Sequence, residues 1–299
     1  MPPFPDLFRE LTGHPPFPWQ QALYARFVGQ QPIKERLKAI VQRAQVAAAL
    51  GFSRPKAPRM LFLGSPGTGK TTAAREMARL LRQLGCTASD RFFETRGTEL
   101  KGSYLGQTKN QVIKAFHEAQ GGVLLIDEVY GLSSANQFGA GIDSYSLEAI
   151  DTLVGLLTLP ENTHTVVILS GYAERMQEFL DSNPGLASRF PDAVHFCDYS
   201  PEDCLNILEA CILSSGAGLG EMPRDSNLLT MLRSGFEQAV QSPRFGNARS
   251  IENLIKHITE CRDARICRLP RAEMSANARI TASDVQSALT PWLRNFLLQ

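Results

Sequence analysis

Apolar and polar positions change rhythm about two thirds of the way along this chain. Up to about residue 200, short apolar runs alternate with amphipathic stretches; from Pro201 onward no strand pattern remains. Met60–Leu63, Arg91–Thr95, Val123–Ile126 and Thr165–Leu169 read as strands. The apolar runs 123–126 and 166–169 fit strands covered on both faces. Residues 33–50 carry a long amphipathic helix that ends near Gly51, and Pro55 and Pro58 mark a linker into the first strand. Helical spacing recurs after Thr71, over Val112–Ala119 and Ser146–Leu157, and then at roughly 201–215, 226–241, 248–268 and 282–298. Residues 131–144, polar and Gly-rich, read as a loop. Strands alternating with helices predict an α/β doubly wound parallel sheet, and the tail predicts a separate all-helical domain. The expected divisions are a Pro- and aromatic-rich extension at 1–28, an α/β domain at 29–200 and a helical domain at 201–299.

Composition narrows the field only slightly. A formal net charge of +1 over 299 residues argues against bulk electrostatic capture of nucleic acid. No apolar run approaches the length of a membrane helix, and the opening MPPFPDLFRE lacks the basic-then-apolar order of a signal peptide. The six cysteines, at 86, 197, 204, 211, 261 and 267, have no metal spacing and read as reduced core residues of a cytoplasmic protein.

One segment carries the chemistry. Residues 64–72, GSPGTGKTT, form a complete Walker A loop after the first apolar run. Gly64, Gly67 and Gly69 let the backbone N–H groups of the Gly64-Ser65-Pro66-Gly67-Thr68-Gly69 stretch, which Pro66 alone lacks, turn inward around a polyphosphate. Lys70 brings a point charge to the β/γ-phosphates, the Thr71 hydroxyl is a Mg²⁺ ligand, and Thr72 continues into a helix whose dipole faces the phosphates. At the end of the third strand, Asp127 is the second Mg²⁺ candidate and Glu128 the base or orienter for attacking water. The base-reading motif N-K-x-D of signalling GTPases is absent, so ATP is the expected nucleotide.

Further segments carry a resemblance. FVGQQPIKERL (27–37), LGSPGTGKTT (63–72), KGSYLGQTKNQV (101–112), GGVLLIDEVYGL (121–132), VVILSGYAERMQEFLDSNPGLASRF (166–190) and FGNARSIENLI (245–255) run in the order of an AAA+ ATPase. Within that superfamily the chain resembles the group of CbbX, the red-type Rubisco activase, and stage V sporulation protein K. The resemblance implies a P-loop NTPase AAA+ module followed by a small helical lid. It assigns Val28 and Gly29 to adenine packing, Arg189 to an arginine finger entering a neighbouring subunit, and Arg249 to a lid cation reaching the γ-phosphate. It also implies a ring, hexameric in this family, with Tyr104-Leu105-Gly106 lining the pore; residues 131–144 are a second pore loop or an ordinary connector. There are departures. Ser170 stands where many AAA+ proteins orient water through Asn or Thr, and CbbX-like proteins often carry Ala in place of Ser170 and Val129. The segment LTGHPPFPWQQALYARF resembles the start of superfamily 2 helicases, particularly the CRISPR-associated helicase-nucleases; Phe17 and Trp19 would be its anchors for a partner or ring contact.

Three functions fit. The leading one is an ATP-driven remodeller that engages an unknown protein client in a ring pore. A nucleic-acid-associated ATPase of a defence or mobile-element system is open but not favoured, resting on residues 1–28 and on Arg262, Arg265, Arg268 and Arg271, which also fit a solvated helix. The third is a slow ATP-dependent assembly switch.

Overall fold

The computed structural model describes residues 29–50, 56–83, 87–102, 107–133, 144–181, 183–214 and 226–297. The extension 1–28, Val28 included, and the triplet Tyr104-Leu105-Gly106 lie outside them, as does most of 131–144.

Helix α1 (Gln31–Ala49) precedes strand β1 (Arg59–Gly64) and helix α2 (Lys70–Gln83). Then come β2 (Phe92–Arg96), α3 (Gln107–Glu118), β3 (Val123–Asp127), α4 (Ser144–Thr158), β4 (Val166–Gly171), α5 (Ala173–Asp181), the short α6 (Pro184–Ala187) and β5 (Asp192–Phe196). All five strands are parallel, in the order β2-β3-β4-β1-β5. Alternation along the apolar strands divides their side chains between two cores. Met60, Phe62, Val123, Leu125, Val166 and Ile168 pack with α1 and α2. Leu61, Leu63, Leu124, Ile126, Val167 and Leu169 face α3, α4 and α5. That two-sided coverage is why these runs contain no polar position.

The pattern reading of the sequence contains neither α5 nor β5. Strand β5 buries only Val194 and Phe196 among its five residues, and it sits at the sheet edge behind Pro191. Two inward side chains are too few for a period of two to stand out. Helix α5 is nine residues long, with Met176, Phe179 and Leu180 as its buried stripe.

The described chain divides into two compact units. One comprises the described residues up to Gly64 together with Gly69–Phe196; the other joins Ser65–Thr68 to the residues from Cys197 onward. The second unit holds α7 (Pro201–Ser214), α8 (Ser226–Ala239), α9 (Ala248–Ile266), the one-turn α10 (Arg271–Met274) and α11 (Ala282–Leu297). Leu208, Leu232, Phe236, Ile251, Leu254, Leu289 and Trp292 form its core. The Trp292 indole N–H donates to the Ser250 carbonyl at 2.8 Å, which meets the need of a fully buried ring for a polar partner.

Two expectations for this unit are corrected. Arg262 is buried and pairs with Asp263, and Arg265 grips the buried Asp284 at 2.9 Å while donating to the Asn277 and Arg279 carbonyls. Arg262 is thus buried and Arg265 ties α9 to α11, so neither decorates a solvated face. Of the described cysteines, Cys204 is buried, its thiol pushed up to about 12 by burial, whereas Cys197 and Cys267 are exposed.

Candidate phosphate-binding loop and its surroundings

Strand β1 delivers the loop to the carboxyl edge of the sheet. Gly64 pairs with Phe196 there, and a methyl added at Gly64 would lie 2.4 Å from the Phe196 carbonyl oxygen. Gly67 (φ 75°) and Gly69 (φ 90°) adopt the left-handed backbone that only glycine takes without strain. The buried Thr68 hydroxyl closes the turn by donating to the Ser65 carbonyl at 2.8 Å. Lys70 begins α2 and arches back, its Nζ 2.9 Å from the Gly64 carbonyl. Thr71 and Thr72 occupy the first turn, half-buried and exposed respectively. Gly29, at φ 67°, turns the chain into α1. A cradle of positive-φ glycines, a lysine folded over it and a threonine at the helix start suit a magnesium-bound triphosphate.

Asp127 and Glu128 share that edge of the sheet. Asp127 pairs in register with Ser170, whose buried hydroxyl donates to the Asp127 carboxylate. Glu128 is exposed and left-handed at φ 47°, a conformation that costs a non-glycine residue about 1–3 kcal/mol. Its carbonyl accepts from Gly131 N–H at 2.8 Å, and a methyl on Gly97 would come within 2.6 Å of the same oxygen. Two contacts thus converge on the Glu128 carbonyl and hold the backbone at this strand end. Beside it, the Arg175 guanidinium lies over the rings of Tyr130 at 5.4 Å and Tyr172 at 5.9 Å. Burial and the neighbouring Glu128 charge push the Tyr130 phenol up, partly countered by Arg175. Gly171 admits this cluster, since a methyl there would meet the Tyr130 ring at 2.5 Å. Tyr130 and Arg175 are absent from the sequence-derived site; only a ring contact across two strand ends reveals them.

Arg189 stands elsewhere. It half-buries in a cavity of about 230 Å³ lined by Arg36, Arg43, Lys56, Arg59 and Asp192 as well as itself. Arg59 opens β1 and Asp192 opens β5, so this cavity lies at the amino edge of the sheet. Six residues of β1 separate that edge from the loop, about 17 Å at the rise of a parallel strand. Arg189 donates to the Gly185 carbonyl at 2.6 Å, Arg36 pairs with Asp192, and Arg59 donates to the Leu157 carbonyl. Burial and the nearby Arg189 charge both push the Arg59 guanidinium down. Five cationic side chains thus face one carboxylate, which is already engaged by Arg36.

Within the second unit, residues 65–68 are held by a polar brace. Asn247 precedes α9 with φ 55° and ψ −129°, is 1% exposed, and satisfies its whole side chain. Its Oδ1 accepts from the Tyr199 N–H at 2.9 Å, and its Nδ2 donates to Asp198 Oδ1 at 2.8 Å and to the Pro66 carbonyl at 3.3 Å. The Tyr199 hydroxyl donates to the Thr68 carbonyl at 3.0 Å, and the Ala248 N–H to the Gly67 carbonyl at 3.1 Å. Gly67 sits so close that a methyl on it would lie 2.2 Å from the Gly246 carbonyl oxygen. Arg249 follows in the first turn of α9, exposed. Asn247 and Tyr199 are missing from the sequence-derived site. An asparagine ahead of a helix is a signal for a left-handed turn, but its partners come from segments far away in sequence.

A parallel five-stranded sheet carrying a glycine cradle and an Asp-Glu pair at its carboxyl edge, followed in the chain by a helical unit, defines a P-loop ATPase with a lid. Residues 60–197 match the ATPase family associated with various cellular activities (AAA), and residues 217–292 match the AAA lid domain. The chain is 34% identical over 263 residues to protein CbbX of Cereibacter sphaeroides, covering 84% of this chain and 79% of that protein. It is 32% identical over 240 residues to the chloroplastic ribulose bisphosphate carboxylase/oxygenase activase of Cyanidioschyzon merolae, covering 79% and 75%. It is also 32% identical over 280 residues to the ESX-1 secretion system protein EccA1 of Mycobacterium tuberculosis, but spans only 48% of that protein. The chain belongs to the AAA+ ATPases, in the CbbX group. It binds nucleotide and hydrolyses ATP. No described helix is long and apolar enough to cross a membrane.

Proposed function

We propose that this ATPase is a cytoplasmic protein remodeller working as a ring, hexameric as in its family, in which Arg189 of each protomer completes the site of its neighbour. One observation carries the reading: Arg189 lies at the sheet edge opposite its own loop, with a surplus of positive charge around it. A cation so placed cannot serve the phosphates of its own chain. An anion brought by a second copy relieves the repulsion among the cavity's guanidiniums.

In this reading Gly64–Thr72 cradle the triphosphate and Lys70 neutralises it, while Val28 and Gly29 pack on adenine. Thr71 and Asp127 would hold Mg²⁺, which would supply charge neutralisation on the phosphate oxygens. Ser170 keeps the Asp127 carboxylate in place. Glu128 takes a proton from water as its oxygen bonds to the γ-phosphorus and the bond to the bridging oxygen breaks. Arg249 approaches the γ-phosphate from the lid. The client is a polypeptide gripped through Tyr104-Leu105-Gly106. Arg262 and Arg265, two of the four arginines behind the nucleic-acid alternative, are engaged in ion pairs within the helical unit.

The test mixes two inactive proteins. Arg189→Ala alone is expected to lose about 10³-fold in turnover, and Lys70→Ala alone to lose ATP binding. Mixed, they form some interfaces with an intact loop facing an intact Arg189, so measurable ATPase returns. Failure of any mixture to regain activity, with both proteins shown to co-assemble, rejects trans completion.

A further inference from the structure

The brace around Asn247 has no part in the chemistry proposed above, yet it joins the two things that chemistry has to coordinate. Asn247 touches the backbone of the phosphate-binding loop at Pro66, and the residues following it touch Gly67 and open the helix bearing Arg249. The backbone twist at Asn247 persists only because the side chain is satisfied on three sides, by Tyr199, Asp198 and Pro66. Glycine would take the same backbone with less strain, so what asparagine adds here is what its side chain holds. Tyr199 repeats the connection one residue along, hydroxyl to Thr68 carbonyl, with its own N–H bound to Asn247. Three consecutive loop carbonyls, those of residues 66, 67 and 68, are therefore tied to the turn before α9 or to the start of the helical unit.

We infer that Asn247 is a positioning residue of the ATPase: it locks the turn 246–249 to the loop carbonyls, so that the backbone holding phosphate also sets where Arg249 stands. This rests on the proposed role of Arg249 at the γ-phosphate. The carbonyls of residues 66, 67 and 68 accept from Asn247, Ala248 and Tyr199, and in the proposed reading the loop amides serve the phosphate. A change in the loop when nucleotide enters or leaves is thereby passed to the first turn of α9 through hydrogen bonds.

The experiment compares Asn247→Gly, Arg249→Ala and the double variant in steady-state ATPase assays with magnesium, alongside thermal melting and equilibrium binding of a fluorescent ATP analogue. Asn247→Gly keeps the turn accessible and removes the three Asn247 side-chain bonds, leaving those of Tyr199 and Ala248 to the loop carbonyls. Loss of Arg249 is expected to lower kcat by about 10–100-fold, the rate equivalent of one charge-assisted hydrogen bond. Asn247→Gly is expected to fall to within about threefold of that value, with analogue affinity changed by less than about threefold, and the double variant to fall no further than Arg249→Ala. A merely structural role would instead lower melting temperature and affinity together with kcat. Losses that multiply in the double variant overturn the inference, as does a wild-type kcat for Asn247→Gly beside an impaired Arg249→Ala. A wild-type kcat for Arg249→Ala sinks the proposed role of Arg249 itself, and the inference with it.

Discussion

Two glycines in this protein should respond to the same substitution with opposite sign. Gly67→Ala adds a methyl where φ is +75°, a conformation that costs an L-residue about 1–2 kcal/mol. The methyl would also stand 2.2 Å from the Gly246 carbonyl oxygen and 3.3 Å from the Arg249 amide nitrogen, both backbone atoms that no rotamer change can withdraw. Either the loop or the turn before α9 has to shift, at about 1–3 kcal/mol for an overpacked site. The total of about 2–5 kcal/mol falls on the conformation that binds nucleotide, so ATP affinity should drop at least about 30-fold. Gly155→Ala adds the same methyl in the last turn of α4, exposed, with nothing within 4 Å. There alanine gains about 0.8–1 kcal/mol over glycine from helix propensity, a rise of about 2–4 °C in melting temperature for a protein of this size. Thermal melts and equilibrium titration with a fluorescent ATP analogue read both effects. A Gly67→Ala protein with wild-type affinity and melting point would refute the close approach of Gly67 to Gly246. A destabilised Gly155→Ala would show that α4 has a neighbour at that face.

The remaining expectations concern Glu128 and Asp284. Glu128→Gln should bind ATP with near wild-type affinity while turnover falls about 10²–10⁴-fold, the contribution of a positioned base; parallel loss of binding and turnover would place Glu128 in nucleotide retention instead. Burial alone would raise the Asp284 carboxyl, but hydrogen bonds from Arg265 and Thr281 outweigh it and hold it below its ordinary 3.8. With the folded value depressed, the stability it contributes is fully present above the unfolded value and is lost as pH falls through the folded one. Asp284→Asn should therefore destabilise the helical unit by about 1–3 kcal/mol at neutral pH, and the gap to wild type should close on acidification below about pH 4. A gap independent of pH down to the acid limit would mean that the carboxylate charge plays no part.

Much of the site was legible because its determinants are local. Gly64, Gly67, Gly69, Lys70 and Thr71 act through a loop nine residues long, and a short peptide dictates its own turn chemistry. The apolar strands 60–63, 123–126 and 166–169 announced a sheet covered on both faces, since every position had to be apolar. Helices from Pro201 onward were equally plain, because the 3.6-residue repeat builds up over several turns. Strand β5 was hidden because an edge strand of five residues offers only Val194 and Phe196 to the core. The arginines of α9 were misread because a charge pattern does not disclose partners: Asp284 lies on another helix.

What the chain determined by itself is the candidate chemistry: a loop suited to phosphate, a lysine and an acidic pair at a strand end, each set by neighbours in sequence. What only tertiary structure decided is where distant segments meet. Parallel pairing brought Ser170 to Asp127, and the direction of β1 put Arg59 and the Arg189 cavity at the far edge from the loop. Folding of the helical unit brought Asn247 and Tyr199 to the carbonyls of residues 66 and 68. Local backbone preference acts over a few residues, whereas these contacts span 43 to 181 positions, and no pattern along the chain records which partners the packing will select.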